Sequence, residues 1–261
     1  MLNYRILRYD TLESTNKKAK ELADSLNHKD VIITMEQTKG RGRMDRSWVS
    51  RKGQDLIMSL VLKPTMPVTV ISSLTLVMAM AVCEGLENIQ KKMKSLHSIT
   101  ETVQGYREKA LIKWPNDVVI SSKKVCGILT ESCLIDNKVG YVIIGCGINV
   151  RGEDFPLSLK NIAGSVKTQW GIDVDLNELL EEILTSFDKY YEIFAGDKGF
   201  HNLYTTYNER LVSIGSEVLV DGKKGMCIGV NEKGELLVDY NGKVVNILAG
   251  EVSVRGLYGY V

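Results

Sequence analysis

Histidine is scarce and cysteine is scattered in this chain of 261 residues, and each shortage excludes a class of chemistry. The three histidines, His28, His97 and His201, are isolated from one another, so neither a zinc-ligand spacing nor a Ser-His-Asp order can be assembled around them. The five cysteines (Cys83, Cys126, Cys133, Cys146, Cys227) form no CxxC pair and lie mostly in apolar runs, which suits small reduced core residues in a cytoplasmic protein. A charge excess is missing too: 33 Lys+Arg stand against 32 Asp+Glu, for a formal charge of +1, unlike a protein that coats nucleic acid. The N-terminus has no signal-peptide core, and the longest apolar run, near Leu74 to Val82, is short for a bilayer span, so no membrane role is expected. No GxxxxGK[ST] occurs, and the Gly145-Cys146-Gly147 pair lacks the third glycine and following helix of a dinucleotide fingerprint. Neither an internal repeat nor a low-complexity tract is seen.

What the chain does have is local positive charge. In Gln37 to Trp48, four cations (Lys39, Arg41, Arg43, Arg46) are separated by Gly40 and Gly42 and followed by an indole. No apolar period of 2 or 3.6 runs through it, which predicts a mobile loop. Glycines admit a ligand close to the backbone, and guanidinium groups give paired donors to phosphate or carboxylate. Taken alone, the segment is equally a solvated basic turn.

The rest predicts an α+β fold. A strand over Tyr4–Tyr9 leads through Glu13-Ser14-Thr15-Asn16 into a helix with Ala19, Leu22, Ala23 and Leu26 on one face. Ser14 or Thr15 is its N-cap, and a helix start with three short polar side chains also suits a small planar polar ligand. Val31–Met35 and Asp55–Leu62 are strands on either side of the basic loop. After Pro64 and Pro67, apolar residues from Val70 to Ile89 follow helical spacing, and Lys91–Glu108 is a surface connection or an extension of that helix. Ala110–Trp114 is a strand stopped by Pro115, so Lys113 and the Asn116-Asp117 turn stand at a strand end, where α/β proteins hold ligands; a plain Pro-Asn-Asp turn is the alternative. Short strands follow at Val118–Ile120, Val125–Glu131 and Val139–Val150, with Lys124 at the tip between the first two. Asp175 caps a helix reaching Phe194, and Phe200 to Leu211 mark another. From Ser213 the pattern is all strand, with turns at Asp221-Gly222, Lys233-Gly234 and Asn241-Gly242, which suggests a small SH3-like barrel.

In order and spacing, Glu13-Ser14-Thr15-Asn16, the Gly40-Arg41-Gly42-Arg43 loop, Lys113-Trp114-Pro115-Asn116-Asp117, Lys124-Val125-Cys126-Gly127-Ile128-Leu129 and Gly145-Cys146-Gly147-Ile148-Asn149 together resemble biotin protein ligases. The resemblance implies a catalytic domain over residues 1–212, with a mixed sheet of the class II synthetase-like type, and an SH3-like barrel over 213–261. It also implies ATP-dependent formation of biotinyl-5′-AMP, then transfer of biotin to a lysine on the carrier domain of acetyl-CoA, pyruvate or a related carboxylase or decarboxylase. Ser14, Thr15, Asn16 and Gln37 would bind biotin, helped by Gly40, Arg41, Gly42, Gly127 and Ile128. Arg43 and Lys113 would contact carboxylate and α-phosphate, with Lys124 near the phosphates. Asn116 and Asn149 would face the nucleotide, Trp48 would cover adenine, and Asp117 would place Mg²⁺ or the incoming lysine. Met44 and Asp45 depart from the Arg or Gly common in this loop, which bears on its mobility and affinity. Family members that act as repressors carry an N-terminal helix-turn-helix; this chain is expected to start at the catalytic region, without a nucleic-acid role, and a homodimer is a further expectation. Lipoate protein ligase is the nearest rival; a non-catalytic effector-binding regulator is a second.

Overall fold

The computed structural model describes residues 3–44, 46–97, 109–196, 199–249 and 254–256. Asp45, and the part of the Lys91–Glu108 connection beyond His97, lie outside them. Among the described residues, nine strands precede the long helix that starts at Leu176: β1 (Ile6–Leu12), β2 (Asp30–Gln37), β3 (Gly40–Arg41), β4 (Ser47–Trp48), β5 (Asp55–Leu62), β6 (Leu111–Lys113), β7 (Asp117–Ile120), β8 (Lys123–Ile135) and β9 (Lys138–Asn149). Seven of them form one mixed sheet in the order β1-β2-β5-β9-β8-β7-β6, parallel between β1 and β2 and antiparallel elsewhere. The remaining pair, β3 and β4, is a separate two-stranded ribbon. The first strand lies later than the expected Tyr4–Tyr9, because its pairing with β2 extends to Leu12–Gln37.

Every residue of β5 is buried, since the strand lies mid-sheet with helices on both faces. Leu56, Met58, Leu60 and Leu62 join the main core, while Val61 joins Ile32, Ile143, Ala19 and Leu26 in a second cluster on the other face. The period of 2 therefore decides which face each side chain supports. Helix α1 (Thr15–Glu21) covers the second cluster; its N-cap Ser14 accepts from the Lys17 N–H. The main core is covered by α2 (Leu74–His97), entered through a 3-10 turn over Val68–Ser73 in place of the expected α-helical start. The stretch Val68–Ser95 is long and apolar enough to span a membrane, but most of it is buried inside the fold, as a core helix requires.

Two further helices complete this layer, α3 (Val166–Trp170) and α4 (Leu176–Ala195). The latter is capped by Asp175, which accepts from the N–H groups of Asn177 and Glu178, and packs along α2. A Cβ at Gly85 would meet Ile183 at 2.7 Å, so the two axes approach as closely as glycine allows. The expected helix over Phe200–Leu211 is instead a 3-10 turn, Gly199–Asn202, followed by the single-turn α5 (Tyr204–Asn208). Its apolar spacing survives as burial: Phe200, Leu203, Tyr207 and Leu211 are all in the core. Asn208 ends the helix by bonding both backbone groups of Val230 in the following sheet.

That sheet comprises β10 (Glu217–Val220), β11 (Lys223–Val230), β12 (Leu236–Tyr240), β13 (Lys243–Ile247) and β14 (Val254–Gly256), antiparallel in the order β13-β12-β11-β10-β14. Asp221-Gly222 and Asn241-Gly242 have positive φ at both positions, as two-residue hairpins demand. Its inward residues Val218, Val220, Cys227, Leu236 and Val238 belong to the same core as α2.

Candidate active site

A cavity of about 630 Å³ opens over the ends of β5, β8 and β9. Its floor is made of glycine. Gly127 and Gly147 face each other across β8 and β9, and the ring of Trp48 lies on both: a Cβ would meet it at 2.8 Å from Gly127 and 2.5 Å from Gly147. Beside them, a Cβ at Gly145 would run into Asn16 at 2.2 Å. Trp48 hangs from β4, and its indole Nε1 is buried with no hydrogen-bond partner.

One end of the cavity is polar and uncharged. The Gln37 Oε1 accepts from the Thr15 backbone N–H (2.8 Å) and faces the Thr15 hydroxyl at 3.2 Å. Beneath them the fully buried Ser59 hydroxyl lies 2.7 Å from Thr15 Oγ1 and 2.6 Å from Asn16 Oδ1. The Asn16 amide donates to Glu131 Oε2 (2.8 Å) and to the Leu129 carbonyl (3.2 Å), while Lys20 donates to Glu131 Oε1 at 2.6 Å. Burial raises the Glu131 pKa, but the bonds from Lys20 and Asn16 outweigh it and hold the carboxylate below its ordinary range.

The other end is cationic. Arg43, Arg46, Arg51, Lys113 and Lys124 all line the cavity, with Asp117 the one lining carboxylate among the described residues, while Arg41, also a lining residue, lies within electrostatic reach of Glu131. Arg43 Nη1 donates to Asn116 Oδ1 at 2.9 Å, and the Asn116 amide donates to the Ile128 carbonyl at 3.1 Å. Desolvation lowers the Arg43 pKa, with Arg46 adding to this and Asp117 opposing it, so the guanidinium sits where an anion would relieve an electrostatic cost. Lys113 pairs with Asp117 in register across β6 and β7, and Asp117 Oδ1 forms an ion pair with Lys124 Nζ at 2.6 Å. Arg51 lies over the Phe155 ring, 4.5 Å from its centroid. A concave site with one sign of charge focuses its field on any anion that enters.

The structure thus brings together Ser14, Thr15, Asn16, Gln37, Arg41, Gly42, Arg43, Trp48, Lys113, Asn116, Asp117, Lys124, Gly127, Ile128 and Asn149 as lining residues. Gly40 is placed behind the wall: a Cβ there would strike the Trp48 carbonyl at 2.4 Å, so its glycine serves the closeness of β3 to β4. The loop expected to lack regular structure folds as that ribbon, with Gly42 N–H donating to Arg46 O at 2.7 Å. Lys124 is not at a turn tip, which falls at Ser121-Ser122, but in β8 beside Asp117. Asn149 donates to Gly164 O at 3.0 Å and thereby anchors the segment that carries Phe155 over the site. Four residues escaped the sequence reading: Ser59, Glu131, Arg51 and Phe155. For Ser59 a signal existed, a single hydroxyl inside the apolar run Leu56–Leu62; the others depend on register and packing.

Residues 8–149 match the biotin/lipoate A/B protein ligase family, more than half of the chain. The chain belongs to that family. The matched span carries the cavity from Gln37 to Asn149 and the α1 polar set, while Phe155 and Val254 lie beyond it. Among curated relatives, the bifunctional ligase/repressor BirA of Bacillus subtilis is 33% identical over 261 residues, covering 97% of this chain and 75% of that protein. The biotin–[acetyl-CoA-carboxylase] ligase of Paracoccus denitrificans is 28% identical over 233 residues, covering 87% and 90%. Among solved structures, the Aquifex aeolicus biotin protein ligase in complex with biotin and ATP superposes with a TM-score of 0.79 at 28% identity, covering 97% of this chain and 99% of that one.

Proposed function

We propose that this chain is a biotin protein ligase acting in two half-reactions. In the first, a biotin carboxylate oxygen attacks the α-phosphorus of ATP, the bond from that phosphorus to the bridging oxygen breaks, and pyrophosphate leaves with the electron pair. In the second, a lysine amine on a carrier domain attacks the carbonyl of biotinyl-5′-AMP, and AMP departs. Two anions must meet in the first half, so fixed cations aimed at the developing charge supply the stabilisation. The observation that carries the reading is one cavity with two chemically distinct parts: an uncharged donor-acceptor set at Thr15, Asn16 and Gln37, and a cluster of cations that includes Arg43, Lys113 and Lys124.

Gln37 spends its Oε1 on Thr15, which leaves Nε2 as a donor toward a carbonyl, and Asn16 Oδ1 retains a lone pair for an N–H. A cyclic urea offers both complements, whereas a dithiolane ring offers neither, which favours biotin over lipoate. Lys113 and Arg43 bridge the carboxylate and α-phosphate in this proposal, Lys124 reaches the phosphates, and Trp48 with Phe155 faces the base. Among the described residues no group of three or more His, Cys, Asp or Glu side chains is placed to hold a metal, and Asp117 is the lone lining carboxylate. That donor set fits Mg²⁺ carried chiefly by the nucleotide's own phosphates, where it would neutralise charge on the leaving pyrophosphate. The acceptor is assigned as the biotin carrier domain of a carboxylase or decarboxylase. No operator-binding role is assigned, in keeping with the formal charge of +1.

Pyrophosphate–ATP exchange with biotin, with lipoate and with no acid tests this reading without the acceptor. Exchange with biotin alone is expected. Exchange with lipoate instead moves the site to the rival substrate, and exchange with neither overturns the adenylation mechanism.

A further inference from the structure

We propose that Glu131 is a positioning residue for acid recognition: it fixes which end of the Asn16 amide faces the cavity and, through Asn16, the direction of every hydrogen bond back to Thr15. This inference rests on the reading of the uncharged end of the cavity as the biotin ring site.

An asparagine amide presents a carbonyl on one side and an NH₂ on the other, and the two shapes are nearly alike, so its neighbours choose the orientation. Here the choice is forced. The Glu131 carboxylate and the Leu129 carbonyl are pure acceptors, 2.8 and 3.2 Å from the same Asn16 nitrogen. Reversing the amide would set an oxygen against both. Asn16 therefore turns Oδ1 toward Ser59, and because an amide oxygen cannot donate, the single Ser59 proton must lie on the 2.6 Å contact to Asn16. Ser59 then has no proton left for Thr15 Oγ1 at 2.7 Å, so the Thr15 hydroxyl is the donor within the network, to Ser59 or to Gln37. The consequence at the cavity is that Thr15 and Asn16 present acceptors while Gln37 presents a donor. That is the pattern needed by a group with one carbonyl and flanking N–H bonds.

Glu131 is placed to impose this and is not itself among the lining residues. It stands on β8, paired opposite Ile143, with a quarter of its side chain exposed and its second oxygen held by Lys20. Asn16 is buried with its amide directly over Gly145, so reversal of the amide in place is the change that the carboxylate guards against. Remove the carboxylate and only the weaker Leu129 carbonyl opposes amide reversal, which would turn Thr15 and Asn16 from acceptors into a mixed set.

The test is biotin-dependent pyrophosphate–ATP exchange on the full chain carrying Glu131→Thr, Glu131→Gln or Lys20→Met. Threonine suits a strand but is too short to reach Asn16. Glu131→Thr is expected to raise the KM for biotin about tenfold or more while the KM for ATP stays within about twofold, the size set by losing a charge-assisted hydrogen bond. Glu131→Gln keeps an acceptor for the Asn16 amide and is expected to restore most of the affinity. Lys20→Met, which removes only the outer partner, is expected to stay within about threefold of the unaltered chain. An unchanged KM for biotin in Glu131→Thr, equal rises in both KM values, or a glutamine variant no better than threonine would each overturn the positioning role. If the unaltered chain shows no biotin-dependent exchange, the biotin reading fails first and this inference falls with it, an outcome distinct from a failure confined to the variants.

Discussion

Trp114 Nε1 donates to the Gly234 carbonyl at 3.0 Å, joining the residue that follows Lys113 to the Lys233-Gly234 turn of the terminal sheet. Both partners are buried there, and the same turn is held from the other side by Ser73, whose hydroxyl donates to Lys233 O at 3.3 Å. Gly234 has φ +81, and a Cβ would meet Leu76 at 2.5 Å, so only glycine brings this carbonyl to the indole. The strand end that presents Lys113 to the cavity is therefore braced by the last sheet of the chain.

Trp114→Phe keeps an aromatic ring but loses the pyrrole half of the indole with its donor, leaving a void and the Gly234 carbonyl buried without a partner. Stability is expected to fall by roughly 2–5 kcal/mol in urea titration. Exchange activity should fall further than that loss explains if Lys113 depends on the brace.

Gly147→Ala places a methyl 2.5 Å from the Trp48 indole, a distance that no ring movement within contact can absorb. The expected result is a rise of about tenfold or more in a substrate KM with less than about 2 kcal/mol of destabilisation, because the ring can swing into the open cavity. Combining it with Trp48→Ala should be much less than additive, since the clash then has no partner.

Lys124→Met strips the cation from the half-buried Asp117 and should cost stability on the order of 1–3 kcal/mol. Asp117→Asn in the same chain should recover part of that loss, a coupling that a double-mutant cycle measures directly.

Asp55 offers a pH-dependent check. Burial raises its pKa above the ordinary 3.8, outweighing the hydrogen bonds from the Arg51 and Val150 backbone and the Arg51 charge. The folded state thus binds the proton more tightly than the unfolded chain does. Stability from this group is full below the unfolded value and declines as pH rises from there through the raised folded value. Asp55→Asn is expected to raise the unfolding midpoint at pH 7 and to show a smaller gain near pH 4, with thermal melts at both pH values as the measurement.

Arg43→Gly removes the guanidinium that Asn116, itself held to β8 through the Ile128 carbonyl, orients. Free biotinyl-AMP should then appear in the filtrate of a single-turnover reaction, with its release accelerated about tenfold or more. Intermediate that stays bound would remove Arg43 from the list of groups that retain it.

Much of this molecule could be read before folding it. Asp55–Leu62 is legible because an unbroken apolar run of strand length leaves few alternatives, and Asp175 is legible because a cap acts within its own turn. The cation cluster was legible in kind, since glycine-spaced arginines have no core to join. The ribbon form of the loop was not, because its two rungs depend on Trp48 finding the floor of Gly127 and Gly147. Glu131 was invisible for the same reason: nothing local to Thr130-Glu131-Ser132 tells that its carboxylate meets Asn16, which follows only from α1 lying across β2, β5 and β9 so that Asn16 and Lys20 reach β8. The break at Leu203, between the 3-10 turn and α5, was hidden as well, since burial kept a helical spacing across it.

The paired glycines at 127 and 147 also limit how the cavity can be redesigned. Pockets are commonly enlarged by shortening a side chain, but these two residues have none to shorten, and the strands beneath them are locked in register. Above this floor, room for a bulkier acid comes from the roof, by trimming Trp48 or the segment bearing Phe155. Any such widening therefore alters the wall assigned to the nucleotide, so acid scope and ATP affinity should change together when this protein is engineered.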